Sequence, residues 1–144
     1  MLQTQILTTL ISNIKTLLQT VTEIKEVKAH GYSRLTKYPA VVFIPESFEN
    51  SYQSTEENFE THKFKIWVIV GVSETTLDNA FETVLPKAVD AIKEKINDSW
   101  DGGTIDGHRV WYTLDSGNFG LSEEDKGLQA WAELSLTIKL TTNN

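Results

Sequence analysis

Three histidines, 20 carboxylates and no cysteine are the side chains from which this 144-residue chain could build chemistry. His30, His62 and His108 lie far apart, and none has a His or Glu at metal-ligand spacing. Each reads as a surface or strand histidine. Without cysteine there are no disulfides, zinc ribbons, iron–sulfur clusters or thiol nucleophiles. No glycine-rich phosphate loop, G-x-S-x-G elbow, H-E-x-x-H pair or kinase motif occurs. Asp98, Asp101 and Asp106, set among Gly102, Gly103 and Gly107, hint at a calcium loop. They lack the alternate oxygen ligands and closing Glu of an EF-hand, and read as a helix-to-strand turn. Glu56, Glu57 and Glu60 are close in sequence, but neighbours on a strand point to opposite faces and would not share a substrate. The expectation is a protein with no catalytic residues, no cofactor and no metal, and not an enzyme.

The charge is unevenly placed. Thirteen basic against 20 acidic residues leave a net −7. From Glu46 to Glu60 there are five acids and no Lys or Arg; from Asp98 to Asp125 there are seven acids against Arg109 alone. The remainder of the chain is mildly basic. A groove that grips nucleic acid needs clustered Arg and Lys, so general DNA or RNA binding is disfavoured, as is an anionic membrane surface. No apolar run approaches the ~20 residues of a transmembrane helix, and Met1 to Leu10 has no basic leader region. A single domain over residues 1–144, made and kept in a cytoplasm, is expected.

The elements that would position any site follow from periodicity. Leu2, Ile6, Leu10, Ile14, Leu17 and Val21 step by three or four, widened by Leu7, Ile11 and Leu18, which predicts an amphipathic helix of about five turns. Glu26 to His30 reads as a short strand. Ala40 to Ile44 reads as a strand entered at Pro39 and left at Pro45. The segment Glu46 to Glu57 then supplies a partner strand near Tyr52 and a turn. From about Asn58 to Val72 the period is two, with Phe64, Ile66, Val68, Val70 and Val72 on one face. A second helix runs from Leu77 to Ile96, capped within Ser73 to Thr76 and kinked or split at Pro86. It ends at Trp100-Asp101-Gly102-Gly103. Val110 to Leu114 is a strand, Asp115 to Gly127 reads as a loop, and Leu128 to Leu140 alternates without error as the last strand. The expected fold is α+β, a single antiparallel or mixed β-sheet with two helices on one face, in the order α-β-β-β-α-β-β.

Misplaced aromatic residues stand out in that scheme. Trp67 and Ile69 fall on the face of the long strand opposite its aliphatic set, and Trp131 does the same on the last strand. Either they form a cross-strand patch on the sheet or they mark a subunit interface.

The run Tyr38-Pro39-Ala40-Val41-Val42-Phe43-Ile44-Pro45 leads into Tyr52, Ser54, Glu57 and Asn58, then into His62-Lys63-Phe64-Lys65-Ile66-Trp67-Val68-Ile69-Val70. With the helix ending near Asp98 and two closing strands, this order resembles the tail terminator, or tail-completion, proteins of long-tailed bacteriophages. The resemblance spans nearly the whole chain as a pattern of elements, not as one motif. It implies a structural virion protein at the head-proximal end of the tail, assembled in the host cytoplasm. In that family, subunits form a homo-hexameric ring, from chains that can be monomeric before assembly. The ring caps the tail tube protein, stops tube elongation, and presents a docking surface to the head-completion or neck protein. DNA passes through it without specific binding, and no membrane is involved.

That reading assigns provisional places to particular residues. Trp67, Ile69 and Trp131 are expected at a subunit interface. Glu49, Glu56, Glu57 and Glu60 are expected at a lumen or end face, where carboxylates repel passing phosphates. Asn118, Phe119, Leu121, Glu123 and Glu124 are expected on a docking loop. The alternatives are a neck protein, a stopper or adaptor between head and tail, and, in another class, a small ligand-binding α+β domain, which would need a pocket of converging polar groups.

Overall fold

A computed structural model describes residues 4–29, 37–52, 58–71, 79–105, 107–124 and 127–142. Helix α1 (Thr4–Gln19) is followed by strands β1 (Glu26–Lys28), β2 (Ala40–Tyr52) and β3 (Asn58–Gly71). A π-helical turn (Ala80–Val84) leads into α2 (Leu85–Asp98), and β4 (Asp101–Ile105), β5 (His108–Glu124) and β6 (Gly127–Thr142) complete the chain. The strands form one six-stranded sheet in the order β1-β2-β3-β6-β5-β4. All pairs are antiparallel except β1 with β2, so the sheet is mixed. The expected α+β class and element order hold, with β4 as an added short strand.

Both helices cover one face of this sheet. Ile6, Leu10, Ile14 and Leu18 recur every four residues along α1 and are buried, the stripe that a 3.6-residue period turns toward a core. Leu85, Ala88, Val89, Ile92 and Ile96 do the same along α2. Beneath them lie Val41, Phe43, Phe64, Ile66, Val68, Val70, Val110 and the even-numbered residues of β6 from Ala130 to Leu140. Phe43 and Phe64 meet at a tilted ring contact of 6.4 Å between centroids.

Pro86 shapes the entry to α2. Lacking an N–H, it is tolerated only within the first turn of an α-helix, where no intrahelical partner is needed. It sits there, at the second residue of α2. The preceding turn is widened, with the Leu85 N–H bonded to the Ala80 carbonyl five residues back. The expected kink is therefore taken up as a π-helical turn. The proposed capping segment Ser73–Thr76 lies outside the described residues.

Three boundaries differ from the sequence expectation. Pro45 does not end its strand: β2 continues to Tyr52 through a bulge between Pro45 and Ser47, which absorbs the missing N–H. Asp101 and Gly102 belong to β4 and not to a terminating turn. The third correction is the largest, because Asp115–Glu124 is no loop. It is the second half of the 17-residue strand β5, paired with β6 as far as Glu124 opposite Gly127, with one bulge between Leu114 and Ser116. Its glycines were misleading because they serve the partner strand. A Cβ on Gly120 would lie 2.2 Å from Cζ2 of Trp131, and one on Gly117 would lie 2.8 Å from Cδ2 of Leu134. Each glycine is the space into which a large cross-strand side chain lies.

Candidate functional site

The face of the sheet without helices is a continuous surface across β2, β3, β6 and β5. Cross-strand register stacks it in rows, because paired residues share a face. Ala40, Ile69, Trp131 and Gly120 form one row; Val42, Trp67, Glu133 and Asn118 form the next; Ile44, Lys65, Ser135 and Ser116 follow.

Its centre is polar and internally satisfied. Lys65 Nζ lies 2.8 Å from Glu133 Oε1 and donates to Ser135 Oγ at 3.3 Å. The Trp67 indole N–H also favours the ionised form of Glu133. The Glu133 hydrogen bond raises the Lys65 pKa above its ordinary value, helped by the nearby charge of Glu46. The same bond holds the Glu133 carboxyl below its usual range.

Two aromatic groups flank this centre. Toward one end, Trp67, Ile69 and Trp131 are half-buried, and Trp131 lies across Gly120. Ala40 and Val42 are almost wholly buried on this face although no helix covers them. Tyr38 extends the cover over Gly71 and accepts a hydrogen bond from Gln129 Nε2 at 3.2 Å. Toward the other end, Phe59 and Trp111 meet at 6.4 Å. Arg109 lies 5.1 Å over Trp111, and Lys139 lies 5.6 Å over Phe59. Sequence reading missed this second group, although the cross-strand position of Phe59 and Trp111 follows once β5 and β6 are paired.

The structure thus brings Trp67, Ile69 and Trp131 together, as the alternation implied, but they are half-buried and not exposed. Glu49 and Glu60 are separated. Glu49 pairs with Thr61 on the helix-free face and is exposed; Glu60 pairs with Leu140 on the opposite face. Glu60 Oε1 accepts a 2.6 Å hydrogen bond from Nε2 of His62, a buried side chain under a stacked Phe48 ring. Glu56 and Glu57 lie outside the described residues. Asn118 is exposed on the helix-free face, opposite Glu133. Phe119 and Leu121 are exposed on the helix side of β5, opposite Ala132 and Ala130. Glu123 and Glu124 close the β5–β6 hairpin opposite Leu128 and Gly127.

His30 lies outside the described residues, and His62 and His108 are on different strands. Among the described residues, no group of three or more His, Asp or Glu is placed to hold a metal ion. No described helix is long and apolar enough to cross a membrane. What the surface offers is area, aromatic anchors and fixed charge, the ingredients of a protein–protein contact. No protein-family model and no curated protein matches the chain.

Proposed function

We propose that the chain is a structural subunit of a long-tailed bacteriophage, a tail terminator that caps the tail tube as a ring and forms the docking surface for the head or neck. The observation that carries this reading is the helix-free face. Four adjacent strands present a broad surface with aromatic anchors Trp67 and Trp131 around a locked Lys65–Glu133 pair. A broad, anchored sheet face suits contact with another protein more than closing around a small molecule. Three clefts lined by described residues lie along the two helices and the β4–β5 side of the sheet, away from this face.

The net charge of −7 fits a ring through which DNA slides without being held. Carboxylates near a channel repel phosphates and release no counterions on contact. Glu49, exposed on the helix-free face of β2, supports this role.

The test is genetic and structural together. Loss of this chain from its phage should give overlong tails, with rings of about six copies seen by electron microscopy of the purified protein or of tail tips. Full-length tails left unjoined to heads would instead assign a neck protein. A monomer at all concentrations, with normal tails in its absence, would remove the reading.

A further inference from the structure

We infer that copies of this chain join edge to edge, the outer edge of β2 on one copy pairing antiparallel with the outer edge of β5 on the next. This deepens the ring reading above and rests on it. Among the described residues, β1 covers β2 only from Ala40 to Val42, and β4 covers β5 only as far as Tyr112. Beyond those points no described strand pairs with either edge, which leaves its backbone N–H and C=O groups as a template for another strand.

The two open edges fit each other in direction, in face and in charge. Three antiparallel steps separate β2 from β5 across the sheet, so β2 runs opposite to β5. A neighbour in the same orientation therefore offers an antiparallel pairing. The apolar side chains left exposed at these edges also share one face. Phe48 is level with His62 on the helix side of β2, and Phe119 and Leu121 are on the helix side of β5. They are 67%, 58% and 46% exposed. Edge pairing places Phe48 against Phe119, above a cleft of about 230 Å³ between α2 and β5 walled by Val89, Leu114 and Leu134. Lys93 lines that cleft, opposite in charge to the acidic β2 strand that would arrive there. Asp115, also in the cleft, is already bound by the Thr137 hydroxyl.

Ring packing sets the register. With Phe48 opposite Phe119 the two exposed rings bury each other, Glu49 meets Asn118 and Tyr52 meets Asp115, so no acid in the ladder faces an acid. Glu46 sits in the β2 bulge, close enough to act on Lys65, and stays outside the ladder. The favoured register also leaves the bulges, beside Pro45 and Leu114, at the two ends of the new ladder. Ser47 to Ser51 then pair regularly with Gly120 to Ser116.

Closure follows from the stagger. Phe48 is level with His62 on β3, whereas Phe119 is level with Val68. Each neighbour is thus shifted along the strands by about six residues, or roughly 20 Å. It advances by four strands across them, or about 19 Å at ~4.8 Å per strand. Strands tilted about 45° to the ring axis cancel that rise, at the upper end of the tilt found in closed barrels.

The cysteine-free chain makes the test direct. Glu49→Cys and Asn118→Cys in one chain lie on β2 and β5 with β3 and β6 between them, too far apart to bridge within a copy. Under mild oxidation this double variant should give a ladder of covalent multimers. Adding Phe48→Ser, at an exposed position, should lower the yield about tenfold or more by removing the buried ring. Wild-type multimers in sedimentation without a ladder from the double variant would overturn edge pairing and leave the ring standing. So would efficient self-cross-linking of a Ser135→Cys chain, which would place the contact on the helix-free face. Monomers throughout, with no ladder at any concentration, would overturn edge pairing, and tails of normal length in phage lacking the chain would overturn the ring as well. A ladder together with normal tails in phage lacking the chain would keep edge pairing and remove the tail reading.

Discussion

Gly120 and Trp131 form a coupled pair whose energetics can be worked from the structure. In Gly120→Ala the new methyl would sit 2.2 Å from Cζ2, 2.6 Å from Cε2 and 2.8 Å from Cη2 of Trp131. Three atoms of one rigid ring cannot all yield by small adjustments, so the indole must swing off the sheet. The cost has two parts: burial lost by the half-buried ring and a strained rotamer. Together they amount to about 1–3 kcal/mol. With a urea m-value of about 2 kcal/mol/M, the unfolding midpoint should fall by roughly 1 M. In a Trp131→Ala background the ring that the new methyl would strike is gone, and the same Gly120→Ala change should be near neutral or slightly stabilising, since alanine loses less backbone entropy than glycine. The coupling energy from the double-mutant cycle should thus be about 1–3 kcal/mol. Urea denaturation of the four chains measures it. A neutral Gly120→Ala in the wild type, or an equal loss in both backgrounds, would refute the argument.

Other outcomes follow from the same geometry. Gly117→Ala should cost less than Gly120→Ala, under about 1 kcal/mol, because its close neighbour is the tip of the flexible Leu134 side chain, 2.8 Å away. Urea midpoints compared directly would check this. Ile92→Ala removes a fully buried side chain between α2 and the sheet and should cost about 2–5 kcal/mol in the same assay. The Lys65–Glu133 pair gives a pH dependence of known sign. Glu133 has a lowered pKa, so its contribution is present above the ordinary carboxylate value of 4.5 and is lost as pH falls through the depressed one. Lys65 and the buried Tyr112 have raised pKa values, so their contributions hold below 10.5 and 10.0 and fade as pH rises beyond. Urea midpoints of Glu133→Gln across pH should show a flatter acid limb than wild type. Replacing Glu56 and Glu57 by Lys should slow DNA ejection from phage while leaving the ring intact; unchanged ejection kinetics would remove the lumen assignment.

Periodicity made most of the fold legible. The four-residue steps of Ile6, Leu10, Ile14 and Leu18 and the alternation of Phe64 to Val70 and Ala130 to Leu140 correspond directly to buried faces. What stayed hidden depends on partners far along the chain. Gly117 and Gly120 carry the local signature of a loop, and only the register opposite Leu134 and Trp131 shows why a strand needs them. Pro45 carries the signature of a strand end, and the bulge beside it is a property of the β2–β3 ladder. The candidate surface was readable in part for the same reason. Trp67, Ile69 and Trp131 announce themselves by breaking an alternation. Phe48 follows a bulge that shifts its face, and Phe119 lies among glycines.

The distribution of apolar exposure bears on which surface meets a partner. Trp67, Ile69 and Trp131 are already half-buried in the single chain, so they contribute stability to it and do not depend on a partner for that burial. Among the described residues, the large apolar side chains left exposed are Leu7, Phe48, Trp100, Phe119 and Leu121, none of them on the helix-free face of the four long strands. Phe48, Phe119 and Leu121 stand on the two open edges of the sheet and on one side of it. Burying them removes more apolar surface per residue than covering rings that are half-buried already. A lateral contact between copies is therefore the stronger association through the edges, and closing the sheet in that way turns the helix-free face toward the bore or the outer wall of the ring.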